Sequence, residues 1–300
     1  MQTKREIAQL LSSAGVSPNR RLGQHFLVDL NLMRLLLDAA QVRSDDVVLE
    51  VGCGTGSLTE ALAERAGAVV AVEIDPTLAS IAASRLAQRA NVQLVAGDAL
   101  SSKGAMSPAV VEAVTQARRE KKGRLLLVAN LPYDVASPVM VNLVKGPLVV
   151  DAMFVTVQKE VAQRMAAPPG TRQYGIVTVL LAATGSVGVL RTLPPGAFWP
   201  PPQVDSALVA FTRDRDKCAR IADLELLSQV SHFFIGHRRK MLRSCLKSLP
   251  AGWGDRALWL EALESCGIDP TRRPAELSPE QYVELTSACQ AAGVFRLRRA

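Results

Sequence analysis

Between residues 47 and 157 short apolar runs alternate with helical patterns, and this alternation limits the fold more than any other feature of the chain. Val47–Val51 is a β-branched run that ends in glycines, and a helical pattern follows through Leu58, Leu62 and Ala63. Ala68–Ile74 reads as the second strand, with a helix from about Pro76 to Arg89 behind it. Val92–Val95, Leu125–Ala129 and Ala152–Val157 read as three more strands. Strands separated by single helices run parallel, because each crossover returns the chain to the same end of the sheet. The expected class is α/β, with a doubly wound sheet.

The remaining segments are placed around that sheet. Ser101–Gly123 is polar and basic, and Pro108 is positioned to start a surface helix between the third and fourth strands. Tyr174–Leu181 reads as a helix and Val187–Arg191 as a strand. Pro194, Pro195, Pro200, Pro201 and Pro202 predict a rigid, extended, solvent-lined segment, and Val204–Phe211 alternates like a strand. After the charged Arg213–Arg220 stretch the pattern is helical to the end. Two domains are therefore expected, residues 1–212 around the sheet and a small all-α domain over 213–300.

Composition removes several classes. Three hundred residues with 48% hydrophobic and 21% charged side chains can bury full cores. Met1 to Leu11 carries Lys4, Arg5 and Glu6 with no apolar core, so no cleaved secretory signal is expected. The longest uncharged run, Gln173 to Leu190, is broken by three glycines and is too short in its apolar part to span a bilayer. Five separated cysteines without a C-x-x-C pair read as reduced thiols of a cytoplasmic protein. The three histidines (His25, His232, His237) have no metal-ligand spacing, so no metal is expected. The formal net charge of +7 raises the prospect of a polyanionic partner. Residues 211–300 carry 15 basic and 11 acidic side chains, a larger excess per residue than the rest.

Glu50-Val51-Gly52-Cys53-Gly54-Thr55-Gly56 follows a strand and opens a helix, so Gly52 and Gly54 let the backbone approach a ligand beside free N–H groups. Glu73 ends the second strand, 21 residues beyond Gly52, where an acid accepts from ribose hydroxyls. That pair alone does not separate a nicotinamide site from an S-adenosylmethionine site. The G-x-G-x-G spacing, with no pyrophosphate seat at the helix start, favours the second. Gly97-Asp98-Ala99 after the third strand adds an acceptor for an adenine amino group, although Asp98 is equally suited to an Asx turn.

The fourth strand runs into Asn130-Leu131-Pro132-Tyr133, which the switch-point rule puts beside the glycine loop. An exocyclic amine on adenine is a poor nucleophile, because its lone pair is delocalised into the ring. The Asn130 amide oxygen and the Leu131 carbonyl can each accept one of its N–H groups and turn the lone pair toward a sulfonium methyl. Pro132 stiffens the turn, and Tyr133 offers a flat face for an extracted base.

With these blocks together the chain resembles the small-subunit ribosomal RNA adenine N6,N6-dimethyltransferases. The resemblance runs through residues 21–27, Leu49–Thr59, Ala71–Asp75, residues 97–100, Asn130–Pro138, residues 158–161, Phe198–Ala207 and residues 238–243. It implies a Rossmann-like class I methyltransferase domain and methyl transfer from S-adenosylmethionine to two adjacent adenosines near the 3′ end of small-subunit RNA. The implied cofactor contacts are His25, Leu27, Gly52, Gly54, Glu73, Asp98 and Asn130, with Phe198 as a second aromatic against the target base. The implied substrate is ribosomal RNA within a precursor particle, met by a monomer away from any membrane. The chain departs from the family pattern at Cys53, where proline is usual, at Asp134, where asparagine is usual, and in the length of Ser101–Gly123.

Arg238, Arg239, Lys240, Arg243 and Lys247 lie in a helical pattern, and Arg239, Arg243 and Lys247 fall on one face at i, i+4, i+8. The resemblance makes this a phosphate-contacting helix, extended by Arg20 and Arg21. The related large-subunit family, which tends to have Asn-Ile-Pro-Tyr, a methyltransferase-like assembly factor with vestigial catalysis, and a dehydrogenase are the competing expectations.

Overall fold

The structure, a computed structural model, describes residues 1–19 and 22–295. Arg20 and Arg21 lie outside the described residues. The chain forms two units, one of Met1–Ala162 with Val187–Arg213 and one of Gln163–Ser186 with the described part of Asp214–Ala300.

The first unit is built on a seven-stranded sheet of β1 (Val47–Val51), β2 (Ala68–Glu73), β3 (Val92–Ala96), β4 (Leu125–Asn130), β5 (Ala152–Gln158), β6 (Gly185–Leu193) and β7 (Ser206–Arg213). Their order is β3-β2-β1-β4-β5-β7-β6. β3, β2, β1, β4 and β5 pair in parallel, so all five deliver their C-terminal ends to one edge. The sheet is mixed rather than wholly parallel, because β7 pairs antiparallel with β5 from Ser206↔Gln158 to Thr212↔Ala152. β1 is buried along its whole length, as expected of a strand covered on both faces. Helix Leu30–Ala40 packs on β4 and β5, and helix Pro108–Glu120 packs on β1, β2 and β3.

Local chemistry sets the helix starts. Asp29 accepts from the N–H groups of Asn31 and Leu32, and Asp75 from those of Thr77 and Leu78 ahead of Pro76. Each such cap is worth about 1 kcal/mol. The Ser101–Gly123 stretch holds a small hairpin, Leu100–Ser102 against Ala105–Met106, before its helix. The proline-rich segment is not simply extended and solvated. Pro195–Ala197 forms a 3-10 turn, and Phe198–Trp199 pairs antiparallel with Phe26–Leu27.

The second unit is helical. Ile176–Thr184 packs against Leu224–Gly236 and Pro279–Ala291, so residues 163–186 join the helices rather than the sheet unit expected from 1–212. Its core includes Tyr174, Phe234, Trp259 and Tyr282. The buried hydroxyls of Tyr174 and Tyr282 donate to the carbonyls of Leu277 (2.7 Å) and Pro274 (2.9 Å), which relieves their burial. The continuous helix expected over residues 238–247 is absent. Leu224–Gly236 ends at His237, residues 237–240 turn, and only Leu242–Cys245 is helical before a 3-10 turn at Leu246–Ser248. The N–H groups of Leu242 and Arg243 donate instead to the carbonyls of Arg272 and Pro270, at 2.8 and 2.9 Å, and these long-range bonds replace the helical ladder. Among the described residues no helix is long and apolar enough to cross a membrane.

Asp46 ties the starts of β1 and β4 together. Its buried carboxylate accepts from the backbone of Arg43 and Arg124 (2.9 Å each) and pairs with the Arg124 guanidinium at 2.6 Å. Burial works against its ionisation, yet the Arg124 and backbone donors outweigh it and hold the pKa below the usual value. This contribution to stability is present above the usual carboxylate pKa and is lost as pH falls through the lowered one. Asp46→Ala strands two backbone donors and a guanidinium, so urea unfolding at pH 7 should show a loss of about 2–4 kcal/mol.

Candidate active site

The C-terminal ends of β1, β2, β3 and β4 open into one cavity, the crevice where sheets of this type hold ligands. His25, Leu27, Gly52, Gly54, Glu73, Asp98, Asn130, Leu131, Pro132 and Tyr133 all line it. Phe198 does not. Its ring is buried in the core with Leu27, Met33 and Leu36, because pairing of Phe198 with Leu27 turns it inward. Trp199, the next residue, stacks on Phe26 at 6.3 Å between ring centroids.

The glycine loop is strained for any other residue. Gly52 and Gly54 have φ of 81° and 58°. A Cβ on Gly52 would lie 3.0 Å from Pro132 Cδ, and one on Gly54 3.0 Å from Phe26 Cε1. The loop is thus packed against the tetrapeptide on one side and the segment preceding helix Leu30–Ala40 on the other. Glu73 braces it from below, accepting from Gly54 N–H at 2.7 Å on Oε2 and from Asp75 N–H at 2.9 Å on Oε1. Burial pushes its pKa up, although those two donors act in the opposite direction.

Glu50 is the most unusual group in the cavity wall. It is 2% exposed, and Oε2 has no hydrogen-bond partner among the described residues. Burial raises its pKa to about 8; the nearby Glu73 carboxylate adds to this, and the Thr59 hydroxyl offsets only part. Sequence reading passed over Glu50, yet an acid inside a fully apolar strand is itself a signal, since such a group is costly to bury without a partner.

Asp98 is exposed, and its Oδ1 accepts from Leu100 N–H at 2.9 Å, an Asx turn. Its other oxygen has no described partner, so the turn and a ligand contact are compatible. Gln24 anchors the segment carrying His25, donating to Asp75 Oδ2 at 3.0 Å and accepting from Asn19 N–H at 2.7 Å. Helix Lys4–Ser13 adds Ile7 to the cavity wall, and nothing in the local sequence marks that contact.

The tetrapeptide is held from three directions. Asn130 Nδ2 donates to the His25 carbonyl at 2.7 Å, while its Oδ1 accepts from the Thr156 hydroxyl. Leu131 N–H donates to the Thr156 carbonyl at 3.2 Å, and the Leu131 carbonyl has no partner among the described hydrogen bonds. Tyr133 stacks on His25 with centroids 5.5 Å apart and its hydroxyl bonds Ser206 Oγ at 2.7 Å. His25 Nδ1 lies 2.6 Å from the Pro200 carbonyl, which makes that nitrogen the protonated donor. Thr156 and Ser206 were not legible as site residues, because only sheet pairing brings them here. Among the described residues no group of three or more His, Cys, Asp or Glu side chains could hold a metal ion.

This strand order, with a glycine loop after β1 and a ribose-type acid after β2, defines a class I, S-adenosylmethionine-dependent methyltransferase fold. A family model described as ribosomal RNA adenine dimethylase matches residues 15–290. The chain is 36% identical to the probable ribosomal RNA small subunit methyltransferase A of Methanopyrus kandleri, over 97% of this chain and 99% of that protein. It is 37% identical to the ribosomal RNA small subunit methyltransferase A of Geobacillus thermodenitrificans, over 93% and 94% of the two chains. Among solved structures, a dimethyladenosine transferase from Plasmodium falciparum superposes with a TM-score of 0.73 at 22% identity, covering 90% of this chain and 99% of that one. The chain belongs to the ribosomal RNA adenine dimethylase family.

Glu50 gives the site a pH signature. A carboxyl raised in the folded state contributes stability that is complete below its ordinary pKa and is lost as pH rises through the raised value, here about 8. Glu50→Gln removes the titration without removing the shape. The melting temperature of the variant relative to wild type, both without cofactor, should climb from pH 5 to about pH 8 and level off above it. A difference that stays level across that range would mean Glu50 titrates as an ordinary carboxyl.

Proposed function

We propose that this protein transfers methyl groups from S-adenosylmethionine to N6 of two adjacent adenosines near the 3′ end of small-subunit ribosomal RNA, forming N6,N6-dimethyladenosine. The observation that carries the proposal is the Asn130 amide, oriented at both ends beside a free Leu131 carbonyl in the cavity that the glycine loop lines. The names of the relatives support the RNA substrate.

The residues present fit the cofactor. Gly52 and Gly54 keep the loop in the left-handed backbone that lines the cavity, and Glu73, Asp98 and Glu50, whose Oε2 has no partner among the described residues, suit a ligand with ribose, adenine and net positive charge. When bound, the cofactor supplies an electrophilic methyl on a cationic sulfur. Asn130 Oδ1 and the Leu131 carbonyl accept the adenine N–H groups and hold the nitrogen lone pair out of conjugation. Tyr133, kept in place by Ser206 and His25, carries the base on its free face. Each transfer replaces one N–H by N–CH₃. The proton departs to water from an aminium acidic enough to need no strong base. Loss of Asn130 removes a contact made in the transition state. Asn130→Ala should therefore bind cofactor and RNA within a few-fold of wild type while methylating at least about 10²-fold more slowly. Mass mapping of unmethylated small subunits after incubation tests the whole assignment. Two adjacent dimethyladenosines near the 3′ end are expected with wild type and none with the variant, and methylation elsewhere would sink it.

RNA contact is assigned to the exposed Arg239, Lys240, Arg243 and Lys247. Arg238 is partly diverted, since it donates to the Thr171 carbonyl at 2.9 Å. Arg243 and Leu242 bond to the backbone at 270–272, which brings Arg272 and Arg273 to the same region. The protein is read as a cytoplasmic monomer acting on a precursor particle. Phosphate contacts release counterions, so Arg239→Ala with Arg243→Ala should flatten the log affinity against log salt plot by about 1–2 units. Filter binding across a salt series measures this, with cofactor affinity unchanged.

A further inference from the structure

We infer that Thr156 is a positioning residue for the methyl transfer, its hydroxyl holding the Asn130 amide oxygen where it meets the adenine amine. The inference rests on the role assigned to Asn130 above. Asn130 closes β4 and Thr156 stands in register beside it on β5, so in a parallel pair their side chains leave the same face of the sheet. Thr156 is 2% exposed, and its hydroxyl donates to Asn130 Oδ1. On the other side Asn130 Nδ2 donates to the His25 carbonyl. A carbonyl can only accept, so the nitrogen must face His25 and the oxygen must face Thr156.

This orientation decides the chemistry. An amide turned by 180° would point N–H groups at an amine that is itself a donor, and the acceptor needed to tilt the lone pair would be gone. The His25 carbonyl, which only accepts, decides which end of the amide is the oxygen, and the Thr156 hydroxyl fixes where that oxygen lies. The Thr156 contact comes from a central strand that also fixes Leu131 N–H through its own carbonyl, so one residue aligns both acceptors of the amine. An amide oxygen has two lone pairs, and Thr156 occupies one, which leaves one for a substrate N–H. Valine at this position would have nearly the same volume but would present a methyl group to Oδ1, and it would remove the hydrogen bond that holds the oxygen on that side.

Three variants and one control test this in single-turnover methylation of unmethylated small subunits. Thr156→Ser keeps the hydroxyl and should retain the wild-type rate within about two-fold. Thr156→Val should slow the transfer about 5- to 30-fold, the worth of one buried hydrogen bond, while affinities for S-adenosylmethionine and for RNA stay within about two-fold. Should the valine variant not fold, as judged by its melting curve, Thr156→Cys replaces it. Its thiol is a poor donor of similar size, and its rate should fall clearly below that of the serine variant. Asn130→Ala is the control. If valine, or cysteine in its place, reacts at the wild-type rate while Asn130→Ala is slow, the positioning role is overturned and the role of Asn130 survives. If Asn130→Ala is also as fast as wild type, the assignment of Asn130 falls, and this inference falls with it. Equal losses of rate in the serine and valine variants would also overturn it, since a defect independent of the hydroxyl is one of packing.

Discussion

A Cβ on Gly52 would stand 3.0 Å from the ring of Pro132, and this close packing of the glycine loop on the Asn130–Tyr133 turn organises the rest of the site. It lets two loops from adjacent strands, β1 and β4, share one wall, so that ligands of both loops meet in a single cavity. The contact holds only if the loop keeps its left-handed backbone, and the Glu73 carboxylate secures that by taking the N–H groups of Gly54 and Asp75. Glu73 therefore acts twice, once as a brace within the protein and once as a wall of the cavity. Substitution there removes the brace of the loop and alters the cavity wall at once.

The three buried acids of the sheet unit show how surroundings assign different duties to similar groups. Asp46 has donors from Arg43 and Arg124 and stays ionised, so it is a structural clamp at the N-terminal ends of the strands. Glu73 has two backbone donors and an intermediate environment. Glu50 has an oxygen with no donor and a pKa pushed up to about 8. An unpaired carboxyl facing a cavity suits a ligand that brings positive charge, and burial makes the group costly when that charge is absent.

The Asn130–Tyr133 turn follows a different logic, in which orientation rather than charge is controlled. His25, Thr156 and Ser206 come from far apart in the chain, yet each fixes one polar atom of Asn130 or Tyr133. In the helical unit the basic residues are likewise assembled by long-range bonds. The backbone at 270–272 takes the N–H groups that a continuous helix would have used, and Arg238 is drawn to Thr171.

Period and punctuation in the sequence determined the parallel sheet, the glycine loop, the acids at the ends of β2 and β3, and the placement of Asn130–Tyr133 at the mouth of the same crevice. These features are local, since a strand followed by glycines or by Asn-Leu-Pro-Tyr carries its own geometry wherever the sheet forms. The inward turn of Phe198, the antiparallel entry of β7, the transfer of residues 163–186 to the helical unit and the breaking of the basic helix were decided by tertiary structure alone. So were the partners of the Asn130 amide. Each depends on which strand or loop becomes a neighbour, and a hydrogen bond between residues such as Thr156 and Asn130 leaves no periodic trace in the chain that folds to make it.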